Sequence, residues 1–384
     1  MSTTESPSLW QARMGVVAIF FANGFGVGAW AVSIPGIKTA LGLTAGQLSI
    51  ALLSVAVGAV LLMPLVGPLV PRFGGTGRMT RYASIVAALI LFLPGWAPSL
   101  PWLIAAAFLF GASNGLIDVA MNAHASVIEK RWGTPIMSSF HAAFSGGGLV
   151  GAALGGLLLH LGVSTPWLLT ATALLVLLVM LAASVRIGDG EAGSAGDHAF
   201  RLPDRRVLAF CVIALFCLMI EGAMADWSAV YLNIEIKASN GLAAAGYAAF
   251  SLTMLIGRLL GDRLIHALGG PRIILFGALM AAIGLLLAIA VPSPWVVIVG
   301  FALVGLGLAN VIPAVFSASG QMTASPAVGI SMAATTGYLG FLIGPPLIGF
   351  VASLYGLKTG IGLLAGSALL VTVLATLQRR IGVA

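Results

Sequence analysis

Charged residues are scarce in this chain. Only 8% of its 384 residues are Asp, Glu, Lys or Arg, whereas 60% are hydrophobic. Soluble domains carry about 25% charged residues, so this shortage excludes an ordinary globular protein and implies that lipid surrounds most of the chain. The 50 glycines fit that setting, because small residues let membrane helices approach closely.

Cysteines and the sequence signatures of metal and nucleotide sites are scarce as well. Cys211 and Cys217 do not stack on one helical face, so a disulfide between them is not expected. No HExxH or similar ligand spacing is found, and no Gly-x-x-x-x-Gly-Lys-Ser/Thr loop. These absences argue against a metal site, a cofactor and ATP-driven transport. Because no nucleophile constellation is recognisable either, an enzyme is not expected.

Apolar runs long enough to cross a membrane are abundant. About 20 apolar residues span the hydrocarbon core, and such runs are expected to be helices because an open strand edge would leave backbone groups unpaired in lipid. The sequence contains twelve of them, at 14–36, 45–70, 79–97, 101–128, 135–160, 165–186, 206–232, 242–262, 271–291, 294–318, 326–353 and 358–378.

The distribution of cations supports that number of spans. If both termini are cytoplasmic, only Lys38, Lys237 and Lys358 of the 18 Lys and Arg residues fall on the outer side. Loop cations collect on the cytoplasmic side of membrane proteins, so the sequence predicts cytoplasmic termini. The formal charge of +7 is thereby explained by topology, and no nucleic acid partner is needed.

The two halves of the chain resemble each other. A polar stretch predicts a cytoplasmic linker at 188–204, between bundles of six helices at 1–187 and 205–384. Trp30 and Trp227 occupy similar positions in the first helix of each half, and Asn114 and Asn310 in the fourth. Internal repeats of this kind are typical of secondary transporters, whose substrate site lies near the bilayer midplane.

These features together resemble the major facilitator superfamily, in which two pseudo-symmetric bundles form an all-α membrane fold. The loop "GPLVPRFGGTGR" is similar to the superfamily's signature after the second helix, although Pro71 stands where an acid is usual. The second half has the related segment "GRLLGDR". The resemblance implies a cytoplasmic gate, with the residues Arg72, Arg78, Arg258, Asp262 and Arg263.

A narrower resemblance covers nearly all twelve helices. The segments "NGLIDVAMNAHASVIEKRWGTPIMSSFHAAFSGGGLVGA" and "EGAMADWSAVYL" resemble the MosC-like/YbjJ-like subgroup, which is distantly similar to fucose–proton symporters. This resemblance implies a transporter fold and a transport mode, and says much less about the solute.

Three acids fall inside the predicted spans: Asp118, Glu221 and Asp226. A central Asp costs roughly 2.5–3.5 kcal/mol on insertion scales, and no Lys or Arg is expected at a matching depth to neutralise these groups. Desolvation without a cation favours the protonated form of a carboxylate. The three acids are therefore candidates for proton coupling, with an interhelical hydrogen bond as the alternative for Asp118 and capping or an outer gate for Asp226.

Asn114, Asp118 and Asn122 are spaced four residues apart and should form one polar stripe on a helix. His141 could approach that helix, whereas His124 falls on another face and is expected to pack. The candidate solute-binding residues are Asn23, Trp30, Asn114, Asn122, His141, Trp227, Asn310 and Tyr338.

The sequence thus predicts a monomeric secondary transporter in a bacterial inner membrane that moves a small polar solute by proton-coupled alternating access. Amide side chains, with no cation expected inside the membrane, favour a polyol, a sugar or an amino-sugar of inositol type. Two alternatives stay open: a proton-antiport exporter of amphipathic drugs or metabolites, and a membrane sensor that binds a ligand without transporting it.

Overall fold

The computed structural model describes residues 8–190, 205–323 and 325–380, and no strand occurs among them. Each of the twelve predicted runs contains a helix. We number these α1 to α12; three of them contain an irregular segment or a break, and a 3-10 helix at Leu93–Trp96 follows α3. The predicted linker at 188–204 falls outside the described residues from 191 onwards.

The first six helices are α1 (Leu9–Ala40), α2 (Ala45–Leu62 and Val66–Arg72), α3 (Thr76–Ile90), α4 (Leu100–Trp132), α5 (Met137–His160) and α6 (Thr165–Ser184). The other six are α7 (Arg205–Val230, continued by a π-helical turn at Tyr231–Glu235), α8 (Asn240–Leu268), α9 (Gly270–Ala290), α10 (Pro294–Leu308 and Val311–Gln321), α11 (Pro326–Tyr355) and α12 (Leu357–Arg380). Within the described residues, eleven spans are long and apolar enough to cross a membrane; α8 is not among them.

Local sequence signals explain several of the helix boundaries. Ser8 and Gln11 form a capping box at the start of α1, and Thr44 and Gln47 form another at the start of α2. Each box satisfies two backbone N–H groups that a helix start leaves without partners. Gly133 ends α4 with φ of 79°, a left-handed conformation that glycine adopts without a steric penalty.

The described residues form two compact units. The first comprises Met1–Thr134, Phe140–Arg201 and Gly320–Ser331, and the second comprises Pro135–Ser139, Leu202–Ser319 and Met332–Ala384, in each case without the residues that the structure does not describe. The segment 135–139, which includes the start of α5, is grouped with the second unit, whereas the rest of α5 belongs to the first. The segment 320–331, which includes the end of α10 and the start of α11, is grouped with the first unit, whereas the rest of these helices belongs to the second. The predicted domain boundaries at 187 and 205 remain a prediction.

Glycines allow the helices within each unit to pack backbone against backbone. A Cβ at Gly147 of α5 would collide with the carbonyl oxygen of Phe21 in α1, and a Cβ at Gly340 of α11 would collide with that of Leu215 in α7. Only glycine permits an approach this close. Glycines of α5 and α11 therefore serve the same kind of helix contact in the first and the second unit.

Neighbouring glycines in α5 provide a test of this packing. A Cβ at Gly147 meets the backbone of α1, whereas a Cβ at Gly146 meets nothing within 4 Å. We expect Gly147→Ala to lower the unfolding free energy by about 1–3 kcal/mol, the usual cost of overpacking. Gly146→Ala should leave it unchanged or raise it slightly, because alanine is the better helix former. Thermal unfolding in detergent compares the two variants, and equal midpoints would contradict the packing.

Candidate functional site

The predicted polar stripe is present on α4. Asn114 and Asp118 are half-buried, and Asn122 is fully buried with 0% exposure. Each residue lies one helical turn from the next, so the three side chains follow one face. The fourth helix of the first unit thus carries a carboxylate between two amides.

The Asn122 amide connects Asp118 to a histidine on the next helix. Its Nδ2 donates to the backbone oxygen of Asp118 at 2.8 Å and to Oδ1 of the same residue at 3.3 Å. Its Oδ1 lies 3.1 Å from Nε2 of His141 in α5. The approach of His141 to α4 that the sequence left open is therefore observed, and Asn122 is the residue that makes the contact.

Aromatic rings of α1 and α5 pack around His141. The ring of Phe20 lies 5.8 Å from the imidazole and 5.5 Å from the ring of Phe140, measured between centroids. Phe20 and Phe140 are fully buried. Side chains from α1, α4 and α5 therefore hold the Asp118–Asn122–His141 network.

Asn114, the first residue of the stripe, lies beside the same cavity as Asn23. The two residues line this small cavity with others of α1, α3, α4 and α6, and its volume open to a water-sized sphere is about 10 Å³. One water molecule needs roughly 10–15 Å³ by this measure, so this cavity has no room for a solute. The Asn114 amide donates to the backbone oxygen of Phe110 at 3.0 Å.

Trp30 also packs inside the first unit. It is 7% exposed, and its ring lies 5.1 Å from that of Phe110 between centroids. Stacking of a solute on this ring would require Phe110 to move. Trp227, its counterpart in the second unit, is half-buried and lies against Gly349 of α11.

The expectation that no cation matches the depth of the three acids is wrong for Glu221. Nη2 of Arg258, in α8, lies 3.6 Å from Oε1 of Glu221, in α7. The two side chains are only 10% and 25% exposed, respectively. Arg258 was predicted at the cytoplasmic gate from its position in "GRLLGDR", but its long side chain carries the guanidinium away from its own Cα. Asp226, in contrast, is exposed.

Asn310 joins the two helices that hold Arg258. Its Nδ2 donates to the backbone oxygen of Gly257 at 2.8 Å, and Nε of Arg258 donates to that of Ala309 at 3.4 Å. The sequence did not indicate that Gly257 and Ala309 accept these hydrogen bonds. Tyr338, the remaining candidate, is half-buried on α11.

One gate residue of the first unit, Arg78, has a partner that the sequence did not indicate. Arg78 forms an ion pair with Asp189 at 3.0 Å, while Arg72 is exposed. The hydrogen bond from Arg78 holds the pKa of Asp189 below its ordinary value, so the pair persists at neutral pH and is lost only on strong acidification. Asp189, predicted as a linker residue, thus supplies an acid that the loop lacks at Pro71.

The same chain segment is held by a buried histidine. Nε2 of His124 lies 2.8 Å from the backbone oxygen of Ile187, and Nδ1 lies 3.0 Å from Oγ1 of Thr76. Arg81 donates to the backbone oxygen of Ser184 at 2.9 Å. His124 therefore packs away from the polar stripe, as expected.

Asp262 makes a helix-capping contact within the second unit. Its Oδ1 accepts a hydrogen bond from the backbone N–H of Ser139 at 3.0 Å. Ser139 lies in the first turn of α5, where free N–H groups favour a negative charge. Arg263, the next residue, is exposed.

Known proteins are similar to this chain in both sequence and fold. A model of the Major Facilitator Superfamily matches residues 16–317 and 209–381. The chain belongs to this superfamily. It is a multi-pass membrane transporter, and the superfamily's fold is not that of an enzyme.

Two bacterial proteins are similar in sequence to this chain along most of their length. An uncharacterised MFS-type transporter of Yersinia pestis is 38% identical over 367 residues, which cover 93% of this chain and 92% of that protein. The membrane protein MosC of Rhizobium meliloti is 34% identical over 346 residues, covering 88% of this chain and 83% of MosC.

Solved structures match the fold at lower identity. FucP in its outward conformation superposes with a TM-score of 0.82 at 17% identity, over 95% of this chain and 98% of FucP. The human organic anion transporter MFSD10 gives a TM-score of 0.77 at 16% identity, over 96% and 100% of the two chains. At these identities the likeness establishes the fold alone.

A double-mutant cycle tests the ion pair inside the second unit. We expect Glu221→Gln and Arg258→Gln each to lower the unfolding free energy, and the double variant to lose less than the sum. The expected interaction is about 1 kcal/mol, within the usual range for contacting residues. Unfolding in detergent provides the measurement.

The matched control is the cycle of Arg78→Gln and Asp189→Asn. Its two side chains are 49% and 55% exposed, and solvent screens such pairs strongly. This cycle should show the smaller interaction. Additive effects of Glu221→Gln and Arg258→Gln would mean that these two residues do not interact in the folded protein.

Proposed function

We propose that this transporter couples the movement of a small polar solute to that of a proton, with Asp118 as the proton-binding group. The observation that carries the proposal is the setting of Asp118. Within the described residues its carboxylate makes no ion pair, and its hydrogen bond comes from the neutral amide of Asn122. A group that binds and releases a proton during each cycle needs such surroundings, because a fixed cation would oppose protonation.

Glu221 is the weaker candidate for coupling. Its carboxylate lies beside the Arg258 guanidinium, with 3.6 Å between Nη2 and Oε1, and a cation at this distance opposes protonation of a carboxylate. We therefore propose that Glu221 chiefly neutralises Arg258. Asp226 remains a possible outer-gate residue, since it is exposed near the end of α7.

For the solute, we propose a polyol, a sugar or an amino-sugar of inositol type. The half-buried carboxylate of Asp118 supplies hydrogen-bond acceptors of the kind that hydroxylated solutes need. FucP, which shares the fold, is named as a fucose:proton symporter of E. coli.

An organic anion is the second candidate solute. The sequence favours a neutral solute because it predicts no cation inside the membrane, but the buried Arg258 is such a cation. MFSD10, which shares the fold, is named as an organic anion transporter. For placement, we propose a monomer in the bacterial inner membrane with both termini in the cytoplasm. The distribution of cations along the sequence supports this orientation.

Reconstituted vesicles with an internal pH dye test the coupling. The probes are myo-inositol, fucose and glucosamine, with gluconate as an anion and ethidium as a cationic drug. We expect a gradient of at least one of the first three solutes to drive protons across the membrane in the same direction as the solute. The dye reports this movement as a change of the internal pH. A response to ethidium alone would favour the exporter, and no response to any probe would argue against proton coupling and favour the sensor.

Substitution of Asp118 tests the assignment of the proton site. We expect Asp118→Asn to reduce solute-driven proton movement to the level of empty vesicles, because an amide cannot take up the proton. Glu235→Gln is the control, since Glu235 is an exposed acid at the end of the π-helical turn of α7. It should retain wild-type flux. Intact proton movement in Asp118→Asn would contradict the assignment.

A further inference from the structure

The amide of Asn122 has both of its ends occupied inside the protein. Its nitrogen lies 2.8 Å from the backbone oxygen of Asp118 and 3.3 Å from Oδ1 of that residue, and its oxygen lies 3.1 Å from Nε2 of His141. The side chain is fully buried. An amide has two N–H donors and one acceptor oxygen, so these contacts use both donors and occupy the oxygen.

The backbone carbonyl of Asp118 determines which way this amide is oriented. A carbonyl oxygen only accepts hydrogen bonds, so the amide atom 2.8 Å away from it has to be the NH₂ nitrogen. The flipped amide would place two acceptor oxygens in contact. The Asn122 oxygen must therefore point to His141, and Nε2 of His141 must carry the hydrogen of that bond.

The same orientation distinguishes the two oxygens of Asp118. Because the amide nitrogen can only donate, Oδ1 has to accept from it in both protonation states of the carboxyl group. A proton on Oδ1 would make it a hydroxyl oxygen, which accepts the amide hydrogen more weakly than a C=O oxygen does. The contact with Asn122 therefore favours the proton of Asp118 on Oδ2, the oxygen that does not face Asn122.

We propose that Asn122 is a positioning residue that directs the coupling proton to Oδ2 of Asp118 and holds His141 with its hydrogen on Nε2. The role in coupling rests on the proposed function, whereas the two hydrogen positions follow from the contacts alone. Asn122 was predicted to bind the solute, but its amide is fully buried and contacts the protein at both ends.

This arrangement also separates the two titratable groups. Passing a proton from His141 to Asp118 through the amide would require the Asn122 oxygen to gain a proton while its nitrogen loses one, which forms an imidic acid. A primary amide does not readily adopt that form. Asp118 therefore exchanges its proton on the Oδ2 side, and any titration of His141 occurs at Nδ1.

Nitrogen NMR of the wild-type protein tests the histidine. With ¹⁵N-labelled histidine, chemical shifts distinguish a hydrogen on Nε2 from one on Nδ1, and the resonance missing from His141→Gln gives the assignment among the five histidines. We expect His141 to carry its hydrogen on Nε2 at a pH where the ring is neutral. A neutral ring with its hydrogen on Nδ1 would overturn the proposal.

Infrared spectroscopy tests the carboxyl group. On acidification, a C=O band should appear that is missing in Asp118→Asn and retained in Glu235→Gln. In Asn122→Leu, which has similar volume but no amide, this band should move to higher wavenumber, because the C=O bond of Oδ1 loses its hydrogen-bond donor. An unshifted band would overturn the assignment of the proton to Oδ2. If Asn122→Leu fails to fold, Asn122→Ser provides the comparison.

Transport measurements separate positioning from solute binding. In vesicles loaded with whichever probe solute is transported, Asn122→Leu should keep the half-saturation concentration for solute exchange and lose accumulation driven by a pH gradient. A half-saturation concentration raised several-fold would instead make Asn122 a solute ligand. If no probe is transported, the proposed coupling fails, while the NMR and infrared results still decide the hydrogen positions.

Discussion

Hydrocarbon provides no hydrogen-bond partner, so every polar group of this chain that lies within the membrane needs a partner inside the protein. The backbone meets this requirement by forming helices. Several buried polar side chains meet it through contacts with other parts of the chain: Asn122 with His141, His124 with the backbone of Ile187, and the Asn310 nitrogen with the backbone of Gly257. Each of these contacts joins two separate parts of the chain, so satisfying the polar groups also specifies which elements are neighbours.

Close helix packing makes these contacts possible. The glycines of α1 and α5 bring the two backbones together, and Phe20 and His141 lie in that region. A bulkier residue at Gly147 would push α5 away from α1 and shift His141 relative to α4. The glycines are thus connected to the proposed proton site through helix geometry, although none of them belongs to the Asp118–Asn122–His141 network.

The helices and the polar stripe could be predicted from the sequence because both depend on local periodicity. Twelve apolar runs became helices, and the spacing of Asn114, Asp118 and Asn122 placed them on one face. The Glu221–Arg258 pair could not be predicted in this way. The sequence predicts how deep each Cα lies in the membrane. The flexible side chain of an arginine carries its charge several ångströms away from that Cα.

Two other contacts depend on information that periodicity does not contain. Asp189 lies in a segment whose small and polar residues predict a linker, and nothing in that composition indicates that Arg78 pairs with it. His141 was equally compatible with a packing role and a functional one, because the relative rotation of α4 and α5 decides between them. Only coordinates provide that rotation.

The surroundings of Asp118 and Glu221 differ in a way that assigns them different tasks. Asp118 faces an amide N–H, which its Oδ1 can accept whether or not Oδ2 carries a proton. Glu221 faces the guanidinium of Arg258. A neutral partner leaves both protonation states available, whereas a cationic partner penalises one of them. Two acids of the same protein therefore suit opposite roles, which is why we propose Asp118 as the proton-binding group and Glu221 as a counter-charge of Arg258.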